Sequence, residues 1–173
     1  DWCNKIKGNL EDIGHIQTLK ELDLTYLERL EGTLEPLRYL KRLESLDLRA
    51  CEMLEGNLEP LGELLTLTNL NLQGCDKLKG TLEPLQRLTQ LKTLNLCFCH
   101  GLYGDLKPLS NLLELNRIDL AGEPLRQSRL AGDFTPLRGL TQLVHLNVSN
   151  CSSLAGFNLF RHEHAEFLAE TRS

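Results

Sequence analysis

Cysteine is the residue type in this chain whose reactivity and spacing first need an explanation. The segment Cys97-Phe98-Cys99-His100 brings two thiols and an imidazole within four positions, a grouping that can bind zinc or carry out redox chemistry. Alternation along an extended segment, however, predicts that Cys97 faces outward and Cys99 faces the interior, so the two thiols diverge. No second pair of ligands stands at zinc spacing, and we therefore predict neither a metal site nor a catalytic site here.

Two further sets of residues could bind an ion or a substrate. His162 and His164 flank Glu163, but they would not share a face of a terminal helix, and two histidines do not complete a zinc site. No nucleophile stands with a base and an orienting group, so we predict no enzymatic activity and no cofactor. Acidic and amide side chains recur in one ladder, which could bind an ion or a repeated ligand: Asp23, Asp47, Asn71, Asn95, Asp119 and Asn147.

The chain repeats with a period of 24 residues. Leu46, Leu48, Cys51, Gly56 and Pro60 return as the same residue types 24 and 48 positions later, within the pattern L-x-L-x-x-C-x-x-L-x-G-x-L-x-P-L-x-x-L-x-x-L. A fixed period of 20–29 residues written in leucines is typical of a solenoid, in which each unit buries its apolar side against its neighbours. We therefore expect the function to lie on an extended surface.

This pattern resembles the leucine-rich-repeat family, whose core is L-x-x-L-x-L-x-x-(N or C)-x-L. The G-x-L-x-P step is similar to the plant-type subclass, and Cys in place of Asn resembles repeats of algal and other protist proteins. The resemblance covers residues 3 to about 158. It implies an α/β fold, a right-handed solenoid with a parallel β-sheet on the concave face and short 3₁₀ or helical segments on the convex face. It also implies a structural role for the Asp/Asn ladder.

Local patterns within one repeat predict its secondary structure. Leu46 and Leu48 alternate with polar residues, as a half-buried strand requires. Pro60 precedes leucines spaced three apart, which predicts a short 3₁₀ segment that begins at the proline. Strands are predicted near residues 22–24, 46–48, 70–72, 94–96, 118–120 and 146–148, stacked about 4.8 Å apart in one parallel sheet.

The repeated cysteine predicts a structural ladder of buried thiols. Leu27 occupies the same slot in another repeat, so the slot is apolar, and free Cys is among the most buried residue types. Neighbouring Cα atoms about 5 Å apart would permit disulfides, which remain the alternative, but stacked side chains point the same way. Unpaired thiols would favour an intracellular compartment. The ladder consists of Cys3, Cys51, Cys75, Cys99 and Cys151.

We predict a single array over residues 1–173 whose two ends differ. It begins with a partial repeat at 3–19, either because the chain is a fragment of a longer array or because a partner or the segment around Trp2 covers the open edge. Polar residues replace the repeated leucines over about 157–173, which predicts a C-terminal cap. Leu130 follows Leu120 by ten positions, where the regular repeat has six. This inserted loop is either part of a binding face or a neutral surface insertion.

The outward positions of the strands and the inserted loop predict a surface for a protein partner. Aromatic residues and arginine are enriched at interface hot spots, and we expect the footprint to centre on Phe98 and Arg117. The predicted partner-binding residues are Tyr26, Arg49, Gln73, Phe98, Arg117, Glu123, Arg126, Arg129 and His145.

These observations favour a non-enzymatic protein–protein interaction module, or a scaffold or accessory subunit of a larger multi-protein assembly. The concave face and the open N-terminal edge would contact the partner. The alternative is an ectodomain fragment of a leucine-rich-repeat receptor that recognises a peptide or a glycan; the plant-like step supports it and the interior cysteines weaken it. The net charge of -5 argues against non-specific nucleic-acid binding. No apolar run long enough to span a membrane occurs.

Overall fold

A computed structural model describes residues 8–126 and 128–156 of the chain. Six three-residue strands form one parallel sheet in chain order. Its register pairs residues one period apart, since Leu46 lies beside Leu70 and Leu70 beside Leu94. The repeated leucines therefore form one column, and the predicted fold is confirmed. The strands are Glu21–Asp23, Ser45–Asp47, Asn69–Asn71, Thr93–Asn95, Arg117–Asp119 and His145–Asn147.

Short 3₁₀ helices on the convex side return the chain to the next strand. Each contains a proline near its start, where the missing N–H group would have no intrahelical partner anyway. A Thr, Asn or Asp before the helix holds the preceding turn: Asp133 Oδ1, for example, accepts a hydrogen bond from the Thr135 amide at 2.7 Å. The described helices are Glu35–Tyr39, Glu59–Glu63, Glu83–Arg87, Lys107–Leu109 and Thr135–Leu137.

Two-residue strands mark the corner between the main sheet and the 3₁₀ helices. A glycine with positive φ recurs at this corner, for example Gly80 at φ +107°, a conformation that L side chains rarely adopt. The corner strands pair in parallel as Gly32–Thr33 with Leu54–Glu55, Tyr103–Gly104 with Arg129–Leu130, and Gly132–Asp133 with Leu154–Ala155.

The core is a continuous stack of leucines between the strands and the 3₁₀ helices. Leu58, Leu82 and Leu106 are 0% exposed, and Phe134 continues their column at 2%. Burying one such side chain contributes about 1.5–3 kcal/mol, and each does so only because the next repeat covers it.

The predicted terminal features fall partly or wholly outside the described residues. The C-terminal cap at 157–173 and the start of the partial repeat at 3–19 belong to this group. Within that partial repeat, Leu10 is buried and Ile13 packs against the core. Across residues 8–126 and 128–156, no helix combines the length and apolar character that crossing a membrane needs.

Candidate functional site

The interior thiols are hydrogen-bond donors to the backbone of the preceding repeat. Cys51 Sγ donates to the Leu24 carbonyl oxygen at 3.1 Å, and Cys75 Sγ donates to the Leu48 carbonyl oxygen at 3.1 Å. Burial raises the pKa of Cys51 to about 11, so the nucleophilic thiolate is scarce at neutral pH. Cys3 lies outside the described residues. The free, buried ladder thiols within them are Cys51, Cys75, Cys99 and Cys151.

The sequence predicts an outward-facing Cys97, and the structure shows that its side chain is buried, at 7% exposure, without belonging to the leucine core. Burial raises the pKa of Cys97 to about 11. The Cys97 amide donates a hydrogen bond to Asn95 Oδ1 at 3.0 Å within a turn. In the part of the chain that the structure describes, no group of three His, Cys, Asp or Glu side chains could hold a metal ion.

The Asp/Asn ladder holds the turns that follow the strands. Asp47 Oδ1 accepts a hydrogen bond from the Arg49 amide at 3.0 Å, and Asn71 Oδ1 accepts one from the Gln73 amide at 3.1 Å. Such bonds to the backbone two residues on define Asx turns. The ladder oxygens are therefore engaged with the chain's own backbone, which is the structural role that the family resemblance implied. The same contact occurs at Asp23, Asn95 and Asn147.

Asp119 is the buried carboxylate of this ladder, and it joins two basic side chains. Arg117 Nε lies 2.8 Å from Asp119 Oδ2, and His145 Nε2 lies 2.9 Å from Asp119 Oδ1. The Asp119 side chain is 7% exposed, so a basic partner is needed to stabilise its charge. Two predicted partner-binding residues thus meet at one buried carboxylate.

One repeat position has left-handed backbone after five of the six strands of the main sheet. Ala50 has φ +57° and Phe98 has φ +60°, and this geometry turns each amide toward the next repeat. The Ala50 amide donates to the Gln73 carbonyl oxygen at 2.7 Å. A positive φ costs a non-glycine residue about 1–2 kcal/mol, which the stacked repeats must offset. Along the array this slot holds a large residue, two small ones and another large one: Tyr26, Ala50, Gly74 and Phe98.

The small residues in this slot leave a groove of about 350 Å³. Tyr26 and Phe98 stand three repeats apart, roughly 14 Å at the spacing of neighbouring strands. The inserted loop reaches back to the groove, where Arg126 Nη1 lies 2.7 Å from Asp76 Oδ2 across 50 residues of sequence. We call this feature the loop-edge groove. It is lined by six of the nine predicted residues, Tyr26, Arg49, Gln73, Phe98, Glu123 and Arg126, with Ala50, Gly74, Glu52, Asp76 and His100 completing its wall.

The other three predicted residues lie elsewhere. Arg117 lines a separate depression of about 240 Å³ on the strand face, and His145 meets it at Asp119. Arg129 belongs to a corner strand, where its guanidinium lies 5.2 Å from the centre of the Tyr103 ring. The predicted footprint is therefore divided among three places, because the chain leaves the groove between Arg126 and Arg129.

Three titratable residues of the groove lie outside the predicted partner-binding set: Glu52, Asp76 and His100. They share one phase of the 24-residue repeat and stand in consecutive repeats, so the period places them in one column. Their residue types differ, so the repeat pattern does not single them out. His100 Nδ1 lies 2.9 Å from Asp76 Oδ1, across one period.

Asp76 is the electrostatic centre of the groove. Burial alone would raise the pKa of Asp76, but hydrogen bonds from Arg126 and His100 outweigh burial, so the pKa lies below its ordinary value. The ionised carboxylate only accepts hydrogen bonds, so His100 Nδ1 must carry the proton that it donates to Asp76.

Two buried side-chain polar atoms have no hydrogen-bond partner in residues 8–126 and 128–156: Arg49 Nε and His100 Nε2. Both residues line the loop-edge groove. Arg49 Nε is a donor, whereas the role of His100 Nε2 depends on the protonation state of the ring. Buried polar atoms are paired in the large majority of cases, so two unpaired atoms in residues that line one groove stand out.

Comparison with known proteins supports the fold. No protein-family model matches the chain, and no curated protein matches it. Solved structures do match. The leucine-rich-repeat ectodomain of the receptor kinase GASSHO1/SCHENGEN3 from Arabidopsis thaliana has a TM-score of 0.64 and 22% identity over 80% of this chain. Internalin C2 from Listeria monocytogenes has a TM-score of 0.63 and 21% identity over 88%. A leucine-rich-repeat protein of Leptospira interrogans has a TM-score of 0.59 and 20% identity over 81%.

The chain spans 16% of the GASSHO1 ectodomain, 71% of internalin C2 and 33% of the Leptospira protein. The chain has the leucine-rich-repeat fold, because six parallel strands from successive repeats form one sheet and short 3₁₀ helices lie between them. The likeness to algal and protist repeats stays a prediction.

Proposed function

We propose that this protein is a non-enzymatic binding module that holds an extended segment of another protein in the loop-edge groove. The shape of the loop-edge groove carries the proposal, because the small residues Ala50 and Gly74 leave space between Tyr26 and Phe98.

The dimensions of the groove support the same conclusion. Roughly 14 Å between the Tyr26 and Phe98 positions accommodates about four residues of extended chain at about 3.3 Å each. Ala50 and Gly74 leave room for a backbone between these two aromatic residues. Tyrosine and phenylalanine are residue types enriched in protein interfaces.

Ala50→Phe would fill the groove and keep a backbone conformation that aromatic residues already adopt in this chain. In Ala50→Phe, phenylalanine enters the left-handed slot that Tyr26 and Phe98 already occupy in neighbouring repeats. Asn150→Phe is the matched control, since Asn150 has φ +61° in the same slot, outside the groove. Peptides are first selected on the immobilised parent chain from a random phage-displayed library. Their affinities for the parent and both variants are then measured by fluorescence anisotropy.

We expect the selected peptides to bind the parent and Asn150→Phe alike, and to lose at least about tenfold in affinity for Ala50→Phe, because a phenyl ring occupies their site. If Ala50→Phe binds them as well as the parent does, the groove is not the binding site. Phe98→Ala is a second test, because it removes one aromatic end of the groove.

A receptor ectodomain fragment is the second candidate, and the structural likeness to a plant receptor favours it. That GASSHO1 ectodomain was crystallised in complex with CASPARIAN STRIP INTEGRITY FACTOR 2. Recognition of a peptide in the loop-edge groove fits both candidates. The gene sequence upstream of Asp1 separates them, because a secretion signal followed by further repeats supports a receptor.

A further inference from the structure

We infer that the segment held in the loop-edge groove presents a basic side chain, lysine or arginine, to Glu52 and Glu123. This inference rests on the proposed function and adds the chemistry of the partner. It follows from which charges of the groove are already paired within the chain and which are not.

The arginines around the groove are paired internally, which reduces their attraction for an acidic partner. Arg49 Nη2 lies 3.1 Å from Asp47 Oδ2, and Arg126 Nη1 lies 2.7 Å from Asp76 Oδ2. On the adjacent strand face, Arg117 is paired with Asp119. The sequence prediction treated these arginines as hot spots, but each positive charge has an aspartate within hydrogen-bond distance.

Glu52 and Glu123 are the groove carboxylates without such a pairing. Both are exposed, and no salt bridge within 4.0 Å joins either of them to a residue of 8–126 or 128–156. Glu123 has a longer-range electrostatic interaction with Arg126, whose hydrogen bond is with Asp76. They come from different parts of the chain, since Glu52 follows the second strand and Glu123 lies in the inserted loop. With the two arginine–aspartate pairs neutral, these glutamates leave the groove negative, and a partner with a positive charge complements it.

The aromatic lining suits the same ligand. Tyr26 is 55% exposed, and the Arg49 guanidinium already lies 6.0 Å from the centre of its ring. A guanidinium or ammonium group over an aromatic face is attracted by the negative potential of the ring.

The test uses the peptides selected on the parent chain, together with Glu52→Gln/Glu123→Gln. Glu55→Gln/Glu59→Gln is the matched control, because both of its glutamates are exposed and lie outside the groove. Affinities are measured by anisotropy at about 50 and 300 mM NaCl, because salt screens exposed charges. A version of each peptide with its basic residue replaced by alanine is measured in parallel.

We expect selection to enrich lysine or arginine, and the Glu52→Gln/Glu123→Gln chain to bind about three- to tenfold more weakly at low salt, with the control unchanged. The basic-to-alanine peptide should bind both chains equally. If Ala50→Phe abolishes binding but the Glu→Gln pair leaves it unchanged, or the selected peptides are acidic, the basic-partner inference is wrong and the proposed function stands. If Ala50→Phe leaves binding unchanged, the groove proposal fails and this inference fails with it.

Discussion

Gly101 is the position at which one added methyl group most directly tests how closely the repeats stack. A Cβ atom at Gly101 would lie 2.2 Å from the Leu78 carbonyl oxygen and 3.1 Å from its carbonyl carbon. The atoms in the way belong to the backbone of Leu78. That backbone is held in place because the Leu78 amide donates a hydrogen bond to the Cys75 carbonyl oxygen at 3.2 Å and because Leu78 forms a parallel β-bridge with Gly56. Ordinary contacts begin at 3.4 Å, so the two repeats must separate by about 1 Å in Gly101→Ala.

The expected loss of stability follows from this overlap. Overpacking typically costs about 1–3 kcal/mol, and the backbone obstacle at Leu78 places Gly101→Ala near the upper end, at about 3 kcal/mol. Gly101 does not have a positive φ, so backbone strain adds nothing to the comparison. Gly139→Ala is the control: nothing lies within 4 Å of its Cβ position, and alanine should stabilise it by about 0.4–1 kcal/mol through the unfolded chain.

Urea unfolding followed by far-ultraviolet circular dichroism measures both variants against the parent. Gly101→Ala and Gly139→Ala add the same methyl group, yet their free energies of unfolding should differ by about 3–4 kcal/mol, with Gly101→Ala the less stable. Equal urea midpoints for Gly101→Ala and Gly139→Ala would refute the close approach of the two repeats and the register that produces it.

Three further predictions concern the core, a thiol and a carboxylate. Leu70→Ala should lower the free energy of unfolding by about 2.7–5 kcal/mol in urea titrations, because Leu70 is 1% exposed; a loss below about 1 kcal/mol contradicts its burial. Cys97, whose pKa burial raises to about 11, should resist iodoacetamide at neutral pH in the native protein but react once unfolded; rapid native labelling, seen by mass spectrometry, contradicts this. Because the pKa of Asp76 is lowered in the folded chain, its carboxylate contributes to stability above about pH 3.8, and this contribution is lost as the pH falls through the folded pKa. In Asp76→Asn the urea midpoint should therefore change less with pH below about pH 5 than it does in the parent chain. An unchanged slope in Asp76→Asn would argue against the Arg126–Asp76 contact.

The charges of the groove show how far residue types alone can mislead. Arg49, Arg117 and Arg126 are exposed hot-spot types in the sequence, yet each lies beside an aspartate in the structure. The partners of Arg49 and Arg117 stand two residues away, where a turn or a strand brings them together. Arg126 instead crosses two repeats to Asp76, and no local pattern predicts that contact. The sign of the charge that the groove presents to a partner therefore follows only from the folded chain.

The 24-residue period by itself determined the stacked strands, the leucine core and the slot of the buried thiols, because each repeat can bury its leucines only against a copy of itself. It also brought Tyr26, Arg49, Gln73 and Phe98 toward one edge of the sheet. The tertiary structure alone decided where the inserted loop rests, that Cys97 is buried, and that Arg49 Nε and His100 Nε2 remain unpaired. Periodicity encodes contacts that recur in every repeat, whereas these features arise once, where the loop interrupts the repeat and folds back over its neighbours.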